Sequence, residues 1–208
     1  ADLRCECRQV RINIPPDERD DFAKFLNDRG ADRAQVMPMV RARMTHINGK
    51  PIDEIQFATP RGKEFATRDQ NITWTETLRR DNEITAGRWF TDDDAGKPLV
   101  SVSTEYMEEL KLSLGDELEF DIAGETQTAK ISSVRKVKWD SFQPNFFLMF
   151  APGLLEGSQG TWMTAAHMPA KDPRTIAELV RRFPSVSVFN VDELLAQVSS
   201  CAWLDASR

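Results

Sequence analysis

Hydrophobic residues recur along this chain with two periods, one typical of strands and one typical of helices. Residues 10–14 alternate like a strand, and a Pro-Pro pair stops the alternation. Phe22, Phe25 and Leu26 then follow at the spacing of an apolar helical stripe. The start of the chain therefore predicts a strand followed by an amphipathic helix.

A second strand is predicted where apolar and polar side chains alternate up to a hairpin turn at Asn48 and Gly49. One face carries Val36, Val40, Ala42 and Met44, and the other carries Arg41, Arg43 and Thr45. The same alternation places His46 on the apolar face. We therefore expect the arginines to face water.

The middle of the chain is richer in strands. Leu118, Phe120 and Ile122 alternate without a break, and the chain reverses at residues 123–124. A second polar-apolar stretch follows at residues 127–134. This pattern predicts a β-hairpin.

Two shorter patterns precede that hairpin. The acidic, Gly-containing run of residues 91–96 resembles a calcium loop, but it lacks the alternating oxygen ligands and distal Glu of an EF-hand. We therefore interpret it as a solvated turn. After a short strand at residues 100–102, Ser103 is placed to cap a helix with Tyr106 and Leu110 on its buried side.

The most unusual composition lies in residues 139–150, which hold five of the eighteen aromatic residues of the chain. The run ends at Ala-Pro-Gly, so it predicts a buried strand followed by a turn. Successive side chains of a strand point to opposite faces, so Phe146 and Phe147 are both buried only if the strand is covered on two sides. We expect this strand to be mainly core rather than a ligand site.

The last third of the chain returns to the pattern of its start. Residues 161–164 and 186–189 predict strands, and Pro173 opens a helix between them. Asp192 is placed to cap a final amphipathic helix. The two ends of the chain therefore share a β-α-β character, without a residue-level repeat.

Composition and charge argue against several classes of partner. With 208 residues, of which 40% are hydrophobic, the chain can bury a sizeable core. Its net charge is −6, from 33 acidic and 27 basic residues, which argues against nucleic acid and anionic membrane surfaces. The sequence shows neither a signal peptide nor a run of roughly 20 apolar residues. We expect neither secretion by its own signal nor membrane insertion.

The cysteine and histidine residues of the chain do not predict a metal site or a catalytic base. Cys5, Cys7 and Cys201 lie near the two ends without a ligand-spaced partner, which is typical of adventitious thiols. A bridge from Cys5 or Cys7 to Cys201 requires the two ends to meet. His46 and His167 have no neighbour in sequence that would orient them as bases.

The remaining polar residues also predict no site. Glu105, Glu108 and Glu109 are expected on a helix surface with no apolar pocket around them, which favours solvation. The chain has neither a nucleophile elbow around a serine nor a phosphate-binding glycine loop before a helix. We therefore predict no catalytic residue, no cofactor, no metal and no enzyme activity.

Five motifs, in order along the chain, carry a resemblance to a known family. They occupy residues 37–43, residues 47–51, residues 83–90, residues 110–124 and residues 135–147. Together they resemble the periplasmic domain of FtsX-like, MacB-like ABC transporter permeases, and the resemblance covers residues 12–198. Within the family, the chain is most similar to the large permeases whose partner genes include a lysophospholipase.

The resemblance implies an α+β fold in which porter-like β-α-β flanking segments are split by an inserted β-rich subdomain of the MacB periplasmic core type. The porter-like halves would be residues 8–70 and 138–198, and the insert residues 71–137. Residues 199–208 would be a tail. Since a family member would continue into a membrane span there, we expect an excised domain with diverged ends.

The resemblance also implies a function: a non-catalytic extracytoplasmic domain, on the periplasmic side of an inner-membrane permease. This domain would couple ATP-driven motion to the export or release of a hydrophobic or lipid-like substrate. A separate cytoplasmic ATP-binding subunit would hydrolyse ATP, a periplasmic protein could be a further partner, and the isolated domain would be a monomer. Two alternatives stay open: a free-standing extracytoplasmic binding module, and a hydrolase acting on lipid or peptidoglycan.

Overall fold

Strands and helices alternate through the protein, whose computed structural model describes residues 7–29, 32–139, 144–158, 160–168 and 173–190. The strands are β1 (Cys7–Ile14), β2 (Asp32–Ile47), β3 (Lys50–Pro51), β4 (Gln70–Trp74), β5 (Asn82–Gly87), β6 (Leu99–Ser103), β7 (Glu117–Ile122), β8 (Glu125–Val137), β9 (Leu148–Phe150), β10 (Thr161–Met168) and β11 (Ser187–Asn190). The helices are α1 (Arg19–Asp28), α2 (Pro60–Thr67), α3 (Thr104–Leu110) and α4 (Pro173–Arg182). Of the predicted α+β fold, the mixture of helices and sheet strands is therefore confirmed.

The chain folds into two compact units. The first unit is built from described residues up to 37, from Pro144 and from described residues 161 onward. The second unit is built from the middle of the chain, residues 38–139 and 145–160. Strand β2 begins in the first unit and ends in the second, so the chain passes between the units within one strand.

The first unit packs two helices on antiparallel strands. β1 pairs with both β10 and β11, so that Val10 lies opposite Ala165 on one side and Phe189 on the other. Among the residues whose burial the structure describes, the core contains Ile14, Phe22, Phe25, Leu26, Leu179, Phe183 and Val186. The Phe183 ring contacts the rings of Phe22 and Phe25 edge to face, with centroids 5.2 and 5.7 Å away.

The second unit contains a mixed sheet in the order β2-β4-β9-β6-β8-β5, and β7 pairs with β2 and β8. The β4–β9 and β6–β8 pairs are parallel. Twenty described residues form its buried core, among them Phe120 and Phe150, whose rings meet edge to face at 5.5 Å. Among the described residues, no helix combines the length and apolar character needed to cross a membrane.

Both predicted turns are confirmed. Ile122 pairs with Glu125 across a two-residue turn in which Ala123 and Gly124 have positive φ angles, as a tight hairpin with right-handed strand twist requires. The β2–β3 hairpin turns through Asn48 and Gly49, both also at positive φ. Local turn chemistry therefore fixes the register of these strands.

The Phe-rich segment forms less strand than predicted. Only Leu148–Phe150 belongs to β9, while Phe146 and Phe147 precede it in irregular backbone. Phe146 is 4% exposed and Phe150 is fully buried, so the prediction of a core role is confirmed for them. Phe147 is half-buried, and residues 140–143 lie outside the described part of the chain.

Pairing of β2 joins residues 38–70 to residues 71–137 in one compact unit, because the second half of β2 pairs with β4 and β7. In particular, Val40 lies opposite Ile72 and Met44 opposite Phe120. The bounds of the porter-like halves and of the insert, as the resemblance implies them, stay a prediction. The porter-like nature of the flanks stays a prediction, and the helix expected after Asp192 lies outside the described residues.

Candidate functional site

The most concentrated polar cluster of the described residues surrounds Arg135, which is fully buried in β8. Its guanidinium group donates to Ser101 Oγ at 3.0 Å and to the side-chain oxygen of Asn82. It also donates to the carbonyl oxygens of Phe146 and Phe147, at 3.0 and 3.2 Å. Arg135 therefore holds three separate chain segments together through one side chain.

The strand order explains why these partners meet. β8 lies between β6, which carries Ser101, and β5, which begins at Asn82. Ser101 pairs with Ser133, two residues before Arg135, and the Ser133 hydroxyl donates to Ser101 Oγ at 2.7 Å. Register alone therefore brings the guanidinium group against both neighbouring strands.

A second layer of side chains surrounds Asn82. Its amide nitrogen donates to Asp81 Oδ1 at 3.1 Å and to Asn145 Oδ1 at 2.9 Å. The amide of Asn145 donates to Asp81 Oδ2 at 2.8 Å, and Arg79 Nε donates to Asp81 Oδ1 at 3.2 Å. The segment before β9 is thus held by side chains as well as by the sheet.

Burial lowers the pKa of Arg135 to about 10, and the carboxylates of Glu105 and Asp81 partly oppose that decrease. Arg135 therefore stays charged at neutral pH, although its direct hydrogen-bond acceptors are neutral. A buried charge of this kind destabilises a protein unless its donors are satisfied, so it specifies the geometry around it. We call Arg135, Asn82, Asp81 and Asn145 the arginine clamp.

An aromatic column runs beside the arginine clamp from the core to the surface. Tyr106 stacks on Phe65 with centroids 5.3 Å apart, Phe65 contacts Phe147 at 5.0 Å, and Phe147 contacts Trp139 at 4.7 Å. Exposure increases along the column, from 0% for Tyr106 to 41% for Trp139. The Arg68 guanidinium group covers Phe65 and Phe147 at 4.8 and 5.7 Å, as in a cation–π contact.

Polar contacts anchor both ends of this column. The buried Tyr106 hydroxyl donates to the Phe65 carbonyl at 3.2 Å, and burial raises its pKa well above the usual value. At the other end, Trp139 Nε1 donates to Glu105 Oε1 at 3.0 Å. Glu105 Oε2 is buried and has no hydrogen-bond partner in the described structure. Glu105 is thus enclosed beside an indole rather than solvated on a helix surface, which corrects the expectation from sequence.

His46 does not lie on the apolar face of β2, where strand alternation places it. Thr45 forms a bulge in β2 where it pairs with β7, so that Met44 lies opposite Phe120 but His46 lies opposite Glu119. His46 Nδ1 approaches Glu119 Oε1 to 2.5 Å, with both side chains about one-third exposed. The bulge reverses the alternation, so His46 leaves the apolar face.

The remaining glutamate, histidine and cysteine residues considered from the sequence form no catalytic or metal-binding group among the described residues. Glu109 accepts a hydrogen bond from Thr59 at 2.7 Å and lies 3.8 Å from Arg61, whereas Glu108 is exposed. The side chain of His167 lies outside the described residues, as do Cys5 and Cys201. Within the described ranges, His, Cys, Asp and Glu residues form no group of three able to hold a metal ion.

The acidic run before β6 is an exposed turn, as predicted, except for its third aspartate. Asp94 is 1% exposed, and its Oδ2 atom accepts from the Thr91 amide and hydroxyl, each at 3.0 Å. The Arg88 guanidinium group also contacts this carboxylate, and these donors hold the pKa of Asp94 well below its usual range. Asp92 and Asp93 are exposed, as are the residues at both ends of the run.

Sequence reasoning missed the arginine clamp, although a signal for it was present. Arg135 opens, and Asn145 nearly closes, the last of the five motifs behind the family resemblance. Charged residues are almost never fully buried without partners, so an arginine that follows Val134 and precedes Val137 by two residues in a predicted strand is a candidate buried cation. The motif therefore encodes a structural clamp in which each of the three guanidinium nitrogens donates to a protein group.

Comparison with known proteins finds a relative that is a transport protein. Over 189 residues it is 33% identical to a segment of an ABC transporter permease. That relative is the uncharacterized permease YbbP of Escherichia coli (strain K12), and the aligned segment covers 90% of this chain and 22% of YbbP. The chain thus spans about a fifth of its relative's length. The predicted resemblance to an ABC transporter permease is confirmed at this level.

Two other comparisons add little. No protein-family model matches the chain. A crystal structure of a domain assigned to a permease protein of Porphyromonas gingivalis aligns over 89% of this chain and 88% of that domain, with a TM-score of 0.41 and 11% identity. A likeness of this degree does not establish a shared fold.

Proposed function

We propose that this chain is a non-catalytic extracytoplasmic domain of an FtsX-like, MacB-like ABC transporter permease, on the periplasmic side of the inner membrane. In this role it couples ATP-driven motion to the export or release of a hydrophobic or lipid-like substrate. A separate cytoplasmic subunit supplies ATP hydrolysis. We also propose that the chain belongs to the subfamily of large permeases associated with a lysophospholipase.

One observation carries the proposal: 33% identity to YbbP over 189 residues, nearly the whole of this chain. Identity at this level over this length indicates common ancestry. The arginine clamp supports the non-catalytic part, because the Arg135 guanidinium group is fully buried and donates to protein atoms rather than facing a cleft. A group engaged in this way positions backbone rather than reacting with substrate.

The first experiment tests on which side of the membrane the domain lies. In the full-length permease, with native cysteines replaced by serine, Leu114→Cys gives a reactive thiol at a turn where the native side chain is 46% exposed. A membrane-impermeant maleimide should label it in cells with only the outer membrane permeabilised. Leu118→Cys is the matched control, since Leu118 is 0% exposed and its thiol should react only after denaturation. Labelling of Leu114→Cys only after cell lysis would refute the periplasmic placement.

A second experiment tests coupling to ATP. An environment-sensitive fluorophore on Leu114→Cys, in the permease reconstituted with its ATP-binding subunit, should change its emission between the nucleotide-free and vanadate-trapped states. The change should disappear when the subunit cannot bind ATP. Identical spectra in all states would favour the passive binding module over the coupling domain, since a moving domain must differ between states.

A further inference from the structure

Asn48 joins the β2–β3 hairpin to the start of β7 through three hydrogen bonds. Its main-chain amide donates to the Glu117 carbonyl at 2.8 Å, and its side-chain Oδ1 accepts from the Glu117 amide at 2.9 Å. Its Nδ2 donates to Asp116 Oδ1 at 3.0 Å. Since β2 ends one residue earlier, where Ile47 pairs with Leu118, Asn48 extends the contact between the hairpin and β7 beyond the last strand pair.

The Asp116 carboxylate is itself held in place by the turn before β7. Its Oδ2 atom accepts from the Ser113 amide at 2.7 Å, and the Asp116 main-chain carbonyl accepts from the Ile131 amide at 2.9 Å. The acceptor of the Asn48 side chain is therefore fixed before Asn48 reaches it. We call the two side-chain hydrogen bonds of Asn48, to Asp116 and from Glu117, the Asn48 contacts.

Asn48 is also the only asparagine of the chain that is followed by glycine. Both residues of this pair are exposed, and a Cβ atom on Gly49 would meet nothing within 4 Å. The Gly49 amide makes no backbone–backbone hydrogen bond among the described residues. The main-chain nitrogen of Gly49 is therefore neither screened by a side chain nor engaged in the sheet.

An asparagine before glycine is open to attack by the next main-chain nitrogen. The Gly49 nitrogen loses its proton to solvent hydroxide and bonds to Asn48 Cγ, the Cγ–Nδ2 bond breaks, and ammonia leaves. Water then opens the five-membered succinimide ring at either carbonyl, which gives an aspartate or an isoaspartate at position 48. The reaction needs no oxidant, reductant or second protein.

We propose that Asn48 is a site of spontaneous deamidation, that the Asn48 contacts slow this reaction in the folded protein, and that its product releases the β2–β3 hairpin from β7. The contacts slow the reaction because ring closure expels Nδ2 and breaks its hydrogen bond to Asp116. The hairpin is released because a carboxylate at position 48 has no N–H group to donate and repels the Asp116 carboxylate. The site does not depend on the proposed transport role.

The first experiment measures the reaction itself. The 208-residue chain is incubated in mildly alkaline buffer, digested with trypsin and analysed by mass spectrometry. Residues 44–61 form one tryptic peptide, because Pro51 follows Lys50, and Asn48 is its only asparagine. Fragment ions should place the amide-to-acid mass change on Asn48 and not on Gln56. The folded chain should react more slowly than the same chain in urea.

Three variants test the Asn48 contacts and the attacking nitrogen. Asp116→Ala should speed the reaction by about fivefold, the factor that corresponds to one hydrogen bond. Asp121→Ala is the matched control: it removes the acceptor of the Gly124 amide in the β7–β8 hairpin and should leave the rate at Asn48 unchanged. Gly49→Ala should largely abolish the reaction, because its methyl group crowds the attacking nitrogen.

A product mimic tests the release of the hairpin. Asn48→Asp should speed hydrogen exchange of the Glu117 amide by roughly tenfold at neutral pH, as expected for two unit charges 3.0 Å apart in water. Adding Asp116→Asn should restore protection, because the new amide donates to the carboxylate at position 48 and still accepts from the Ser113 amide. This reversal of donor and acceptor separates the contact from a general loss of stability.

Each of four results would overturn the proposal. Prolonged incubation yields no product at Asn48, or urea and Asp116→Ala leave the rate unchanged, or the Glu117 amide of Asn48→Asp exchanges as in the unmodified chain. In the fourth, the folded chain reacts faster than the unfolded chain, which would mean that Asp116 and Glu117 promote ring closure instead of slowing it.

Discussion

The two units reach stability by different routes. In the described part of the first unit, buried core residues come from segments before residue 38 and after residue 160, and the ring of Phe183 joins them through edge-to-face contacts with Phe22 and Phe25. The second unit instead encloses a charged, hydrogen-bonded network built around Arg135 beside its described apolar core. The comparison teaches that one chain can join distant segments by aromatic contacts in one unit and by a buried cation in the other.

The largest effect is expected from breaking the arginine clamp. Arg135→Ala should lower the free energy of unfolding of the second unit by about 5 kcal/mol, because it leaves a cavity and several buried acceptors without donors. Urea unfolding followed by circular dichroism measures the change. Lys136→Ala, at the exposed neighbouring position, should shift the value by less than about 0.5 kcal/mol. Equal stability of both variants would mean that the clamp does not hold the second unit together.

Removal of one aromatic ring should distinguish the two cores. Phe183→Ala should cost about 3–4 kcal/mol and abolish hydrogen-exchange protection in α1 and β1, since its ring joins the last third of the chain to Phe22 and Phe25 of α1. Phe120→Ala removes a comparable ring from the core of the second unit, where many other buried residues are described, and most protected amides of that unit should remain protected. The contrast fails if Phe120→Ala unfolds its unit while Phe183→Ala leaves its own protected.

A smaller effect separates two glycines of the second unit. Both Gly87 and Gly49 have φ near +73°, but a Cβ atom on Gly87 would lie 2.2 Å from the Ser132 carbonyl oxygen, whereas one on Gly49 meets nothing within 4 Å. Gly87→Ala should therefore cost about 2–3 kcal/mol and Gly49→Ala about 1 kcal/mol. Thermal melting of the two variants side by side measures the difference, and similar melting temperatures would contradict the close approach.

The smallest expected effect depends on pH. The pKa of Asp94 is lowered in the folded state, so the unfolded chain binds more protons than the folded chain as pH falls. Stability from this carboxylate is therefore fully present above the ordinary Asp pKa of about 4 and is lost on acidification below it. Asp94→Asn should reduce the loss of stability between pH 7 and pH 3, measured by urea midpoints. Asp93→Asn serves as the exposed control, and an equal reduction in both variants would assign the effect to general charge.

Local rules predicted the elements well. The β7–β8 hairpin followed from unbroken alternation and a two-residue turn, and the stripe in α1 followed from Phe22, Phe25 and Leu26. These features depend on neighbours in sequence, so one chain suffices to read them. Strand alternation alone failed for His46, because the bulge at Thr45 reverses the face on which each later residue of β2 lies.

Features that depend on distant strands could not be read in the same way. The hydrogen-bond partners of Arg135 lie in β5, β6 and the segment before β9. The order of these strands in the sheet cannot be predicted from the residues next to Arg135 in sequence. Pairing of β2 with β4 and β7, which joins the segments on either side of residue 70 in one compact unit, depends on distant residues in the same way.

The discontinuity of the first unit has a consequence during synthesis on the ribosome. β1 and α1 emerge first, yet β10, α4 and β11 are made only after residues 38–160. At about 5–20 residues per second, that interval is on the order of ten seconds, long enough for the second unit to fold. During this interval, Phe22, Phe25 and Leu26 lack Phe183 and Leu179, with which they form one buried cluster in the folded protein. The nascent chain therefore presents a short apolar helix to chaperones until its last third arrives.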